Sequence, residues 1–288
     1  MSKTLINLSG KIDSFFLEIF KEITKVSQTL SIDFFVIGAT ARDIILESGY
    51  GIPTIRATRD IDFGVQVSNW EQFSRIKEGL IQTGNFNSTR ETQRLKYKNA
   101  LFVDIIPFGK IANQKKLFTW PSEHEAEMNV LGFDEAYEHS LFVRLNSDPL
   151  IELRFISLAG LAVLKIIAWK DKYPLRKSDA KDLLLLIRNY LAAENENRLY
   201  NEESDIMEDD FDYERASARL LGRDMAGISY PKTLKAIMKI LNQETSNQSR
   251  YRLIEDMIDF KYLENDFEEI LQLIEHLKIG ILERFKKT

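Results

Sequence analysis

The stretch TRDIDFGV, residues 58–65, places two carboxylates in a segment that is otherwise typical of an apolar β-strand. Because side chains alternate between the two faces of a strand, Asp60 and Asp62 share one face, and the apolar residues between and after them share the other. The apolar row predicts burial against a core. The Cα atoms of Asp60 and Asp62 are then about 6.6 Å apart, and carboxylates this close repel unless a cation lies between them. The stretch therefore predicts a strand that presents a cation-binding pair.

A third acid lies in ALFVDIIPFG, residues 100–109, which has the composition of a buried strand. Asp104 shares a face there with Phe102 and Ile106. If this strand lies beside residues 58–65, three carboxylates converge, and such a cluster can hold two Mg²⁺ ions that align a hydroxyl with a nucleotide phosphate. The chain has no cysteine and only three histidines, so its donor atoms favour magnesium over zinc.

A strand, a turn and a helix are predicted immediately upstream. The apolar strand IDFFVIG, residues 32–38, ends in Gly38, and helical spacing starts at Ala39. Backbone amide groups at the start of such a helix can donate to a triphosphate, and Arg42 lies one turn into it. This turn is therefore the predicted phosphate-binding element.

The pattern of apolar residues separates the chain into a mixed half and a helical half. Strands alternate with helices, such as the one predicted over residues 70–84, up to a predicted hairpin over residues 140–156. Beyond the hairpin the spacing is helical. We therefore expect an α+β fold, with a mixed α/β N-terminal domain over residues 1–157 and an all-helical C-terminal domain over residues 158–288.

Composition and charge narrow the class of protein. The 288 residues are 44% hydrophobic and 29% charged, as in ordinary globular proteins, and no apolar run is long enough to span a membrane. The N-terminal segment is predicted as an amphipathic helix rather than a signal peptide, so we expect a cytoplasmic protein. The net charge of −5 gives no overall attraction to nucleic acid. A basic stretch over residues 90–116 flanks Asp104, and it could guide an RNA backbone or be a strand edge protected by lysines.

Taken in order, Gly38-Ala39, Asp60-Ile61-Asp62 and Asp104 resemble the pattern of the nucleotidyltransferase superfamily that includes DNA polymerase beta. The resemblance covers about residues 32–108. The superfamily usually has Gly-Ser where this chain has Gly38-Ala39, so a serine hydroxyl contact to phosphate is missing. Thr40 is the candidate to replace it.

Within the superfamily, two different groups of enzymes share further motifs with this chain. GATARDIIL is similar to the start of CCA-adding enzymes. RATRDIDF, followed by LKIIAWKDKYPLRKSDAKDL, is more similar to the AbiEii family of toxin nucleotidyltransferases, in which a helix lysine precedes an Arg/Lys-Asp pair. Lys165 and Lys181-Asp182 match that later signature.

The resemblance implies a nucleotidyltransferase-like mixed sheet with flanking helices, and an enzyme that uses an NTP and releases pyrophosphate. It implies Asp60, Asp62 and Asp104 as ligands of Mg²⁺, and Asp104 also helps to lower the pKa of an acceptor hydroxyl. It implies Lys165 as a phosphate or nucleotide contact and Asp182 as its orienting or auxiliary acid. The nucleotide-binding residues that it implies are Gly38, Ala39, Thr40, Arg42 and Lys165.

The leading hypothesis is a magnesium-dependent nucleotidyltransferase that moves a nucleotide to a hydroxyl, as the toxin of a toxin–antitoxin pair. The resemblance implies tRNA or another cellular acceptor and a cognate antitoxin as partner. Two alternatives remain open, a small-molecule nucleotidyltransferase of the antibiotic-modifying type and a catalytically silent nucleotide-binding or interaction protein. Structural interpretations also remain open, because Lys165 could extend to solvent from a core-facing helix and Asp182 could be an exposed partner of Arg188 or Lys181.

Overall fold

The structure is a computed structural model, and it describes residues 5–54, 60–121, 127–207, 211–246, 248–258 and 265–285. Thr58 and Arg59 of the aspartate stretch lie outside these ranges. The chain divides into two compact units, Met1–Ser157 and Leu158–Thr288. That the first unit is a catalytic domain stays a prediction at this point.

The described residues of the first unit form ten strands, four α-helices and a short π-helical turn. Its strands are β1 Leu5–Asn7, β2 Phe34–Ile37, β3 Asp60–Gln66, β4 Phe86–Ser88, β5 Arg94–Tyr97, β6 Leu101–Phe108, β7 Leu117–Thr119, β8 Glu127–Asn129, β9 Leu141–Ser147 and β10 Leu150–Phe155. Its helices are α1 Ser14–Leu30, α2 Gly38–Asp43, α3 Trp70–Gln82 and α4 Phe133–Glu138.

Within the described ranges, eight strands form one mixed sheet in the order β1-β9-β10-β2-β3-β6-β5-β4, and β7 pairs with β8. Strand β3 pairs antiparallel with β2 and parallel with β6, so the two acid-bearing strands are neighbours. The predicted hairpin is the antiparallel pair β9 and β10. The predicted fold class is confirmed, with a mixed sheet, flanking helices and a helical C-terminal region.

The aspartate strand forms because its apolar row has a core to fill. Phe63 is 1% exposed, and its ring packs edge-on against that of Phe20 on α1, with centroids 6.0 Å apart. Helix α1 begins after Asp13, whose carboxylate accepts a hydrogen bond from the backbone N–H of Phe15. The apolar face of β3 therefore packs on α1, and the acids lie on the opposite face of the sheet.

Two features differ from the expectations. The helix expected from Ala39 onward is α-helical over α2 and continues as a π-helical turn, Ile44–Gly49, because apolar spacing over so few residues does not distinguish the two hydrogen-bond patterns. Strand β5 is not a sheet edge, since it pairs with β4 on one side and β6 on the other. For Lys96, the lysine of β5, the interpretation as protection of a sheet edge is therefore wrong.

The described part of the second unit is helical. Its helices are α5 Leu158–Asp171, α6 Lys177–Asn189, α7 Glu196–Asn201, α8 Tyr213–Ile228, α9 Pro231–Thr245, α10 Arg252–Met257 and α11 Asn265–Phe285. Helix α5 is buried nearly all round, which is typical of the central helix of a bundle, and it carries Lys165. Among the described residues of both units, no helix combines the length and the apolarity needed to cross a membrane.

Candidate active site

Three neighbouring strands set charged side chains in one row. Asp62 of β3 lies opposite Asp104 of the parallel strand β6, and Asp104 lies opposite Arg94 of the antiparallel strand β5. Residues opposite one another in a sheet point to the same face, so these side chains follow one another across the sheet. Asp60, two residues before Asp62, points to that face as well. The structure therefore brings the three aspartates onto one face of β3 and β6. We call Asp60, Asp62 and Asp104 the acid row.

Arg94 is bound to two of these acids. Its Nε lies 2.7 Å from Oδ1 of Asp104, and its Nη2 lies 2.6 Å from Oδ2 of Asp104 and 3.7 Å from Oδ2 of Asp60. The hydrogen bonds to Asp104 raise the pKa of Arg94 above its already high usual value. Sequence reasoning missed Arg94 as part of this site. The available signal was its position in the strand that precedes Asp104, but the register that pairs the two residues is not visible in the sequence.

Gly38 makes room for the carboxylate of Asp62. Its φ angle of +71° lies in the left-handed region, and a Cβ atom at this position would lie 1.9 Å from Oδ2 of Asp62. Both the backbone angle and the close approach require glycine. Gly38 begins α2, where it and Ala39 are half-buried. The turn predicted to bind phosphate therefore lies directly beside the row of acids.

The other two residues predicted in this turn are buried. Thr40 is 3% exposed, and its Oγ1 donates a hydrogen bond to the backbone carbonyl of Asp60, 2.6 Å away. Arg42 is 2% exposed and pairs with Asp43 at 2.6 Å. Thr40 therefore ties α2 to the start of β3, whereas the contact of Arg42 stays within α2. Contact of Thr40 and Arg42 with a nucleotide stays a prediction.

In the helical unit, Lys165 of α5 contacts two acids of α6. Its Nζ lies 2.7 Å from Oδ1 of Asp179 and 2.6 Å from Oδ2 of Asp182, and the side chains of these two acids are 3% and 7% exposed. Burial by itself would lower the pKa of Lys165, but the charges of Asp179 and Asp182 outweigh burial and hold that pKa above its usual value of 10.5. We call these three residues the buried trio. Its formal charge is −1 when both acids are ionised, and Arg176 offsets this charge from outside the trio, with its Nε 2.8 Å from Oδ2 of Asp179.

The buried trio corrects two interpretations of the sequence. Lys165 does not extend to solvent, because its side chain is 11% exposed and is bound to acids. Asp182 is not an exposed partner of Arg188, which pairs with Glu214 and Glu269. Sequence reasoning also missed Asp179, although its spacing of three residues before Asp182 places both on one face of a helix. The predicted roles of Lys165 and Asp182 toward a nucleotide stay predictions.

The donor set of the acid row fits magnesium. Asp60, Asp62 and Asp104 offer carboxylate oxygens from one face of the sheet, and the absent side chain of Gly38 leaves room for one of them. In the arrangement seen here, no group of three or more His, Cys, Asp or Glu side chains among the described residues is placed to hold a metal ion. Metal binding by the three aspartates therefore stays a prediction.

Comparison with known proteins gives one family match and several similar folds. The model of the family described as "Nucleotidyl transferase AbiEii toxin, Type IV TA system" matches residues 25–273. None of the curated proteins compared with the chain matches it.

Similar solved structures include three nucleotidyltransferases. The antibiotic-resistance factor ANT(2'')-Ia is 10% identical with a TM-score of 0.36, over 67% of this chain and 95% of its own. The lincosamide antibiotic adenylyltransferase LnuA is 16% identical with a TM-score of 0.34, over 60% and 96%. The Thermotoga maritima CCA-adding enzyme in complex with tRNA is 12% identical with a TM-score of 0.29, over 96% and 83%.

The family match spans both units of the chain. It covers the glycine turn, the acid row and the buried trio, which all lie between residues 25 and 273. The chain is thus an enzyme that uses an NTP for nucleotidyl transfer, and it belongs to the AbiEii family of nucleotidyltransferase toxins of type IV toxin–antitoxin systems.

Proposed function

We propose that this enzyme transfers a nucleotide from a magnesium-bound NTP to a hydroxyl group of tRNA or another RNA, and that it is the toxin of a pair with a cognate antitoxin. The observation that carries the proposal is the acid row beside Gly38. Asp62 and Asp104 lie opposite one another on adjacent strands, Asp60 shares their face, and the glycine turn adjoins Asp62. This constellation can hold a nucleotide triphosphate beside clustered carboxylates.

The chemistry follows from what the three aspartates would hold. Bound Mg²⁺ supplies charge neutralisation at the triphosphate and lowers the pKa of the attacking hydroxyl. Asp60 and Asp62 would hold it on β3, and Asp104 would complete the site from β6. The acceptor oxygen forms a bond to the α-phosphorus while the bond from that phosphorus to the bridging oxygen breaks, pyrophosphate leaves, and the hydroxyl proton passes to solvent. The protein contributes mostly positioning and charge.

A second row on the same face favours a nucleic-acid acceptor over a small molecule. Phe102 of β6 lies opposite Asp60 on one side and opposite Lys96 of β5 on the other. The Phe102 side chain is 37% exposed, and Nζ of Lys96 lies 5.6 Å from its ring centroid. An exposed aromatic ring with a lysine beside it is a typical platform for an unstacked base and its phosphate. Two other lysines of the stretch 90–116 are less available to a nucleic acid, because Lys98 pairs with Glu18 and Lys116 pairs with Asp134.

The test is label transfer from each of four α-labelled NTPs, with Mg²⁺ and total tRNA, followed by separation of RNA, protein and free nucleotide. A parallel reaction replaces tRNA with an aminoglycoside. The control is the double variant Asp60→Ala, Asp62→Ala. We expect label on RNA from one or two of the NTPs, with pyrophosphate released in equal amount and no transfer by the double variant. Label on the aminoglycoside alone would contradict the RNA acceptor and support the small-molecule alternative.

The toxin assignment has its own test in cells. Induced expression of the wild type is expected to arrest growth, and expression of the Asp60→Ala, Asp62→Ala variant at the same level is expected not to. Growth arrest by both proteins would show that the arrest does not come from nucleotidyl transfer. If only the wild type arrests growth, an antitoxin candidate is a gene whose co-expression with the active wild type restores growth.

Gly38→Ala is expected to lower kcat/KM for nucleotidyl transfer by about 10²-fold or more, because the new Cβ would displace the Asp62 carboxylate from the acid row. The matched control is Gly84→Ala. Gly84 also has a positive φ, +82°, but nothing lies within 4 Å of a Cβ there. The control therefore carries a similar backbone strain of about 1 kcal/mol without touching the acids.

The readouts are the transfer rate and the thermal unfolding temperature of both variants. Equal losses of activity in Gly38→Ala and Gly84→Ala would show that backbone strain, rather than the displaced carboxylate, is responsible. Full activity of Gly38→Ala would contradict the placement of Asp62 at the reacting phosphate.

A further inference from the structure

Arg94 lies where a cation bound to the acid row would lie. Its guanidinium contacts both oxygens of Asp104 and reaches to 3.7 Å from Asp60, so it bridges the acids of β3 and β6. The sheet register and an aromatic ring hold Arg94 in this position, because Arg94 is opposite Asp104 and its guanidinium carbon lies 4.9 Å from the Phe102 ring centroid. The side chain of Asp104 is 11% exposed and that of Arg94 is 27% exposed, so the pair is partly shielded from water.

This pairing conflicts with metal binding to the same carboxylates. The geometry of a bidentate pair uses one lone pair on each oxygen of Asp104 and directs the guanidinium charge into the row. A divalent cation that binds Asp104 and Asp60 would be placed next to this positive charge and repelled by it. Metal binding therefore requires the guanidinium to leave Asp104.

A nucleotide provides a new partner for the displaced guanidinium. A triphosphate carries oxygens that accept bidentate hydrogen bonds from arginine as well as a carboxylate does. A free metal ion offers no such partner, so its binding would leave the partly buried Arg94 with only the weaker electrostatic attraction of Glu91. The exchange is thus favourable when metal and nucleotide arrive together and unfavourable when the metal arrives alone.

We propose that Arg94 is a positioning residue that holds Asp104 until the metal–nucleotide complex arrives, and that it makes metal binding depend on nucleotide binding. The inference rests on the proposed function for the identity of the metal ligands, but it goes further, since it assigns Arg94 and an order of loading. The enzyme then binds free divalent metal weakly and the metal–NTP complex tightly, and Arg94 contributes to this difference in addition to the metal-binding oxygens of the triphosphate itself. By thermodynamic linkage, the metal tightens nucleotide binding by the same factor by which the nucleotide tightens metal binding.

The test measures binding of Mn²⁺, which serves as the metal probe, to the nucleotide-free protein by electron paramagnetic resonance of the unbound ion. The variants are Arg94→Met, which removes the charge and keeps an apolar stem over Phe102, and Arg94→Lys, which keeps the charge but loses the bidentate contact. The matched control is Arg144→Met. Arg144 of β9 pairs with Glu152 of β10 in the same sheet, with 2.7 Å between Nη2 and Oε1, and its side chain is 32% exposed, close to the 27% of Arg94.

We expect Arg94→Met to bind Mn²⁺ at least tenfold more tightly than the wild type in the absence of nucleotide, Arg94→Lys to lie between them, and Arg144→Met to equal the wild type. Adding Asp104→Asn to Arg94→Met should abolish the gain. In the presence of a non-hydrolysable NTP analogue the wild type should bind Mn²⁺ much more tightly, and Arg94→Met should show a smaller increase. Unfolding temperatures establish that each variant is folded under the assay conditions.

Equal or weaker Mn²⁺ binding by a folded Arg94→Met would overturn the inference, and so would an increase of the same size in Arg144→Met. The experiment is independent of transfer, because no reaction occurs during the measurement. If label transfer to RNA fails while Arg94→Met still gains Mn²⁺ affinity, the proposed acceptor is wrong and the role of Arg94 stands. If transfer succeeds and the gain is absent, the role of Arg94 is wrong and the proposed function stands.

Discussion

Asp62→Asn is expected to lower the rate of nucleotidyl transfer by about 10³-fold or more, while the protein remains as stable as the wild type or becomes slightly more stable. The substitution keeps the shape of the side chain and removes its charge. Asp62 lies in the row beside Asp104 and two residues from Asp60. Like charges this close oppose folding, so removing one relieves repulsion in the absence of metal. The same charge is needed to bind the metal that in turn binds the triphosphate, and a neutral amide binds Mg²⁺ more weakly than a carboxylate does.

The measurement pairs single-turnover transfer with urea-induced unfolding of the metal-free protein. The matched control is Asp148→Asn, which neutralises an exposed aspartate in the turn between β9 and β10 and should change neither quantity. Transfer within tenfold of the wild-type rate by Asp62→Asn would contradict the assignment of Asp62 as a metal ligand. A large loss of stability would show instead that Asp62 has a structural role in the sheet.

Lys165→Met is expected to lower the free energy of unfolding by about 3 kcal/mol, because it removes the cation that the buried Asp179 and Asp182 share and leaves Asp179 with Arg176, whose Nε lies 2.8 Å from its Oδ2. The triple variant Lys165→Met, Asp179→Asn, Asp182→Asn removes all three charges and keeps their approximate shapes. It should recover most of that loss, since no uncompensated charge remains buried. Urea-induced unfolding at neutral pH measures both differences. Equal unfolding free energies of Lys165→Met and the wild type would contradict a stabilising contribution from the ion pairs of Lys165.

The triple variant also separates two roles of Lys165. If Lys165 contacts a phosphate of the nucleotide, the triple variant is stable but its transfer rate stays low, with the loss mainly in KM for the NTP. If Lys165 only neutralises the two acids, the triple variant recovers activity together with stability. The comparison is needed because the single positive charge of Lys165 already faces two negative charges, on Asp179 and Asp182. An effect of Lys165 on these acids must therefore be separated from an effect on a nucleotide.

Alkaline pH gives a further prediction for the same residue. The pKa of Lys165 is higher in the folded chain than its usual value of 10.5, so its stabilising contribution is fully present below about pH 10.5 and is lost as the pH rises through the folded pKa. The difference in unfolding free energy between the wild type and Lys165→Met should therefore be constant from pH 7 to about pH 10 and shrink at higher pH. A difference that shrinks already between pH 7 and pH 9 would contradict the raised pKa.

Local patterns in the sequence determined which segments are strands or helices and which face of each strand carries the acids. The alternation in DIDFGV placed Asp60 and Asp62 on the face opposite the apolar row, and the same rule placed Asp104 on one face of its strand. The strand–glycine–helix turn and the helical half of the chain also followed from spacing and from glycine. These features depend on residues within a few positions of one another, so the sequence states them directly.

Which side chains meet was decided only by the tertiary structure. Arg94 contacts the acid row because β5 pairs with β6 in one particular register. A shift of one residue would have turned its side chain to the other face. Asp179 became the second partner of Lys165, and Thr40 and Arg42 became buried, through packing between elements that are separate in the sequence. Spacing determined the faces on which these charges lie, whereas strand order and helix packing determined their partners, because non-local pairing depends on burial and register rather than on neighbouring residues.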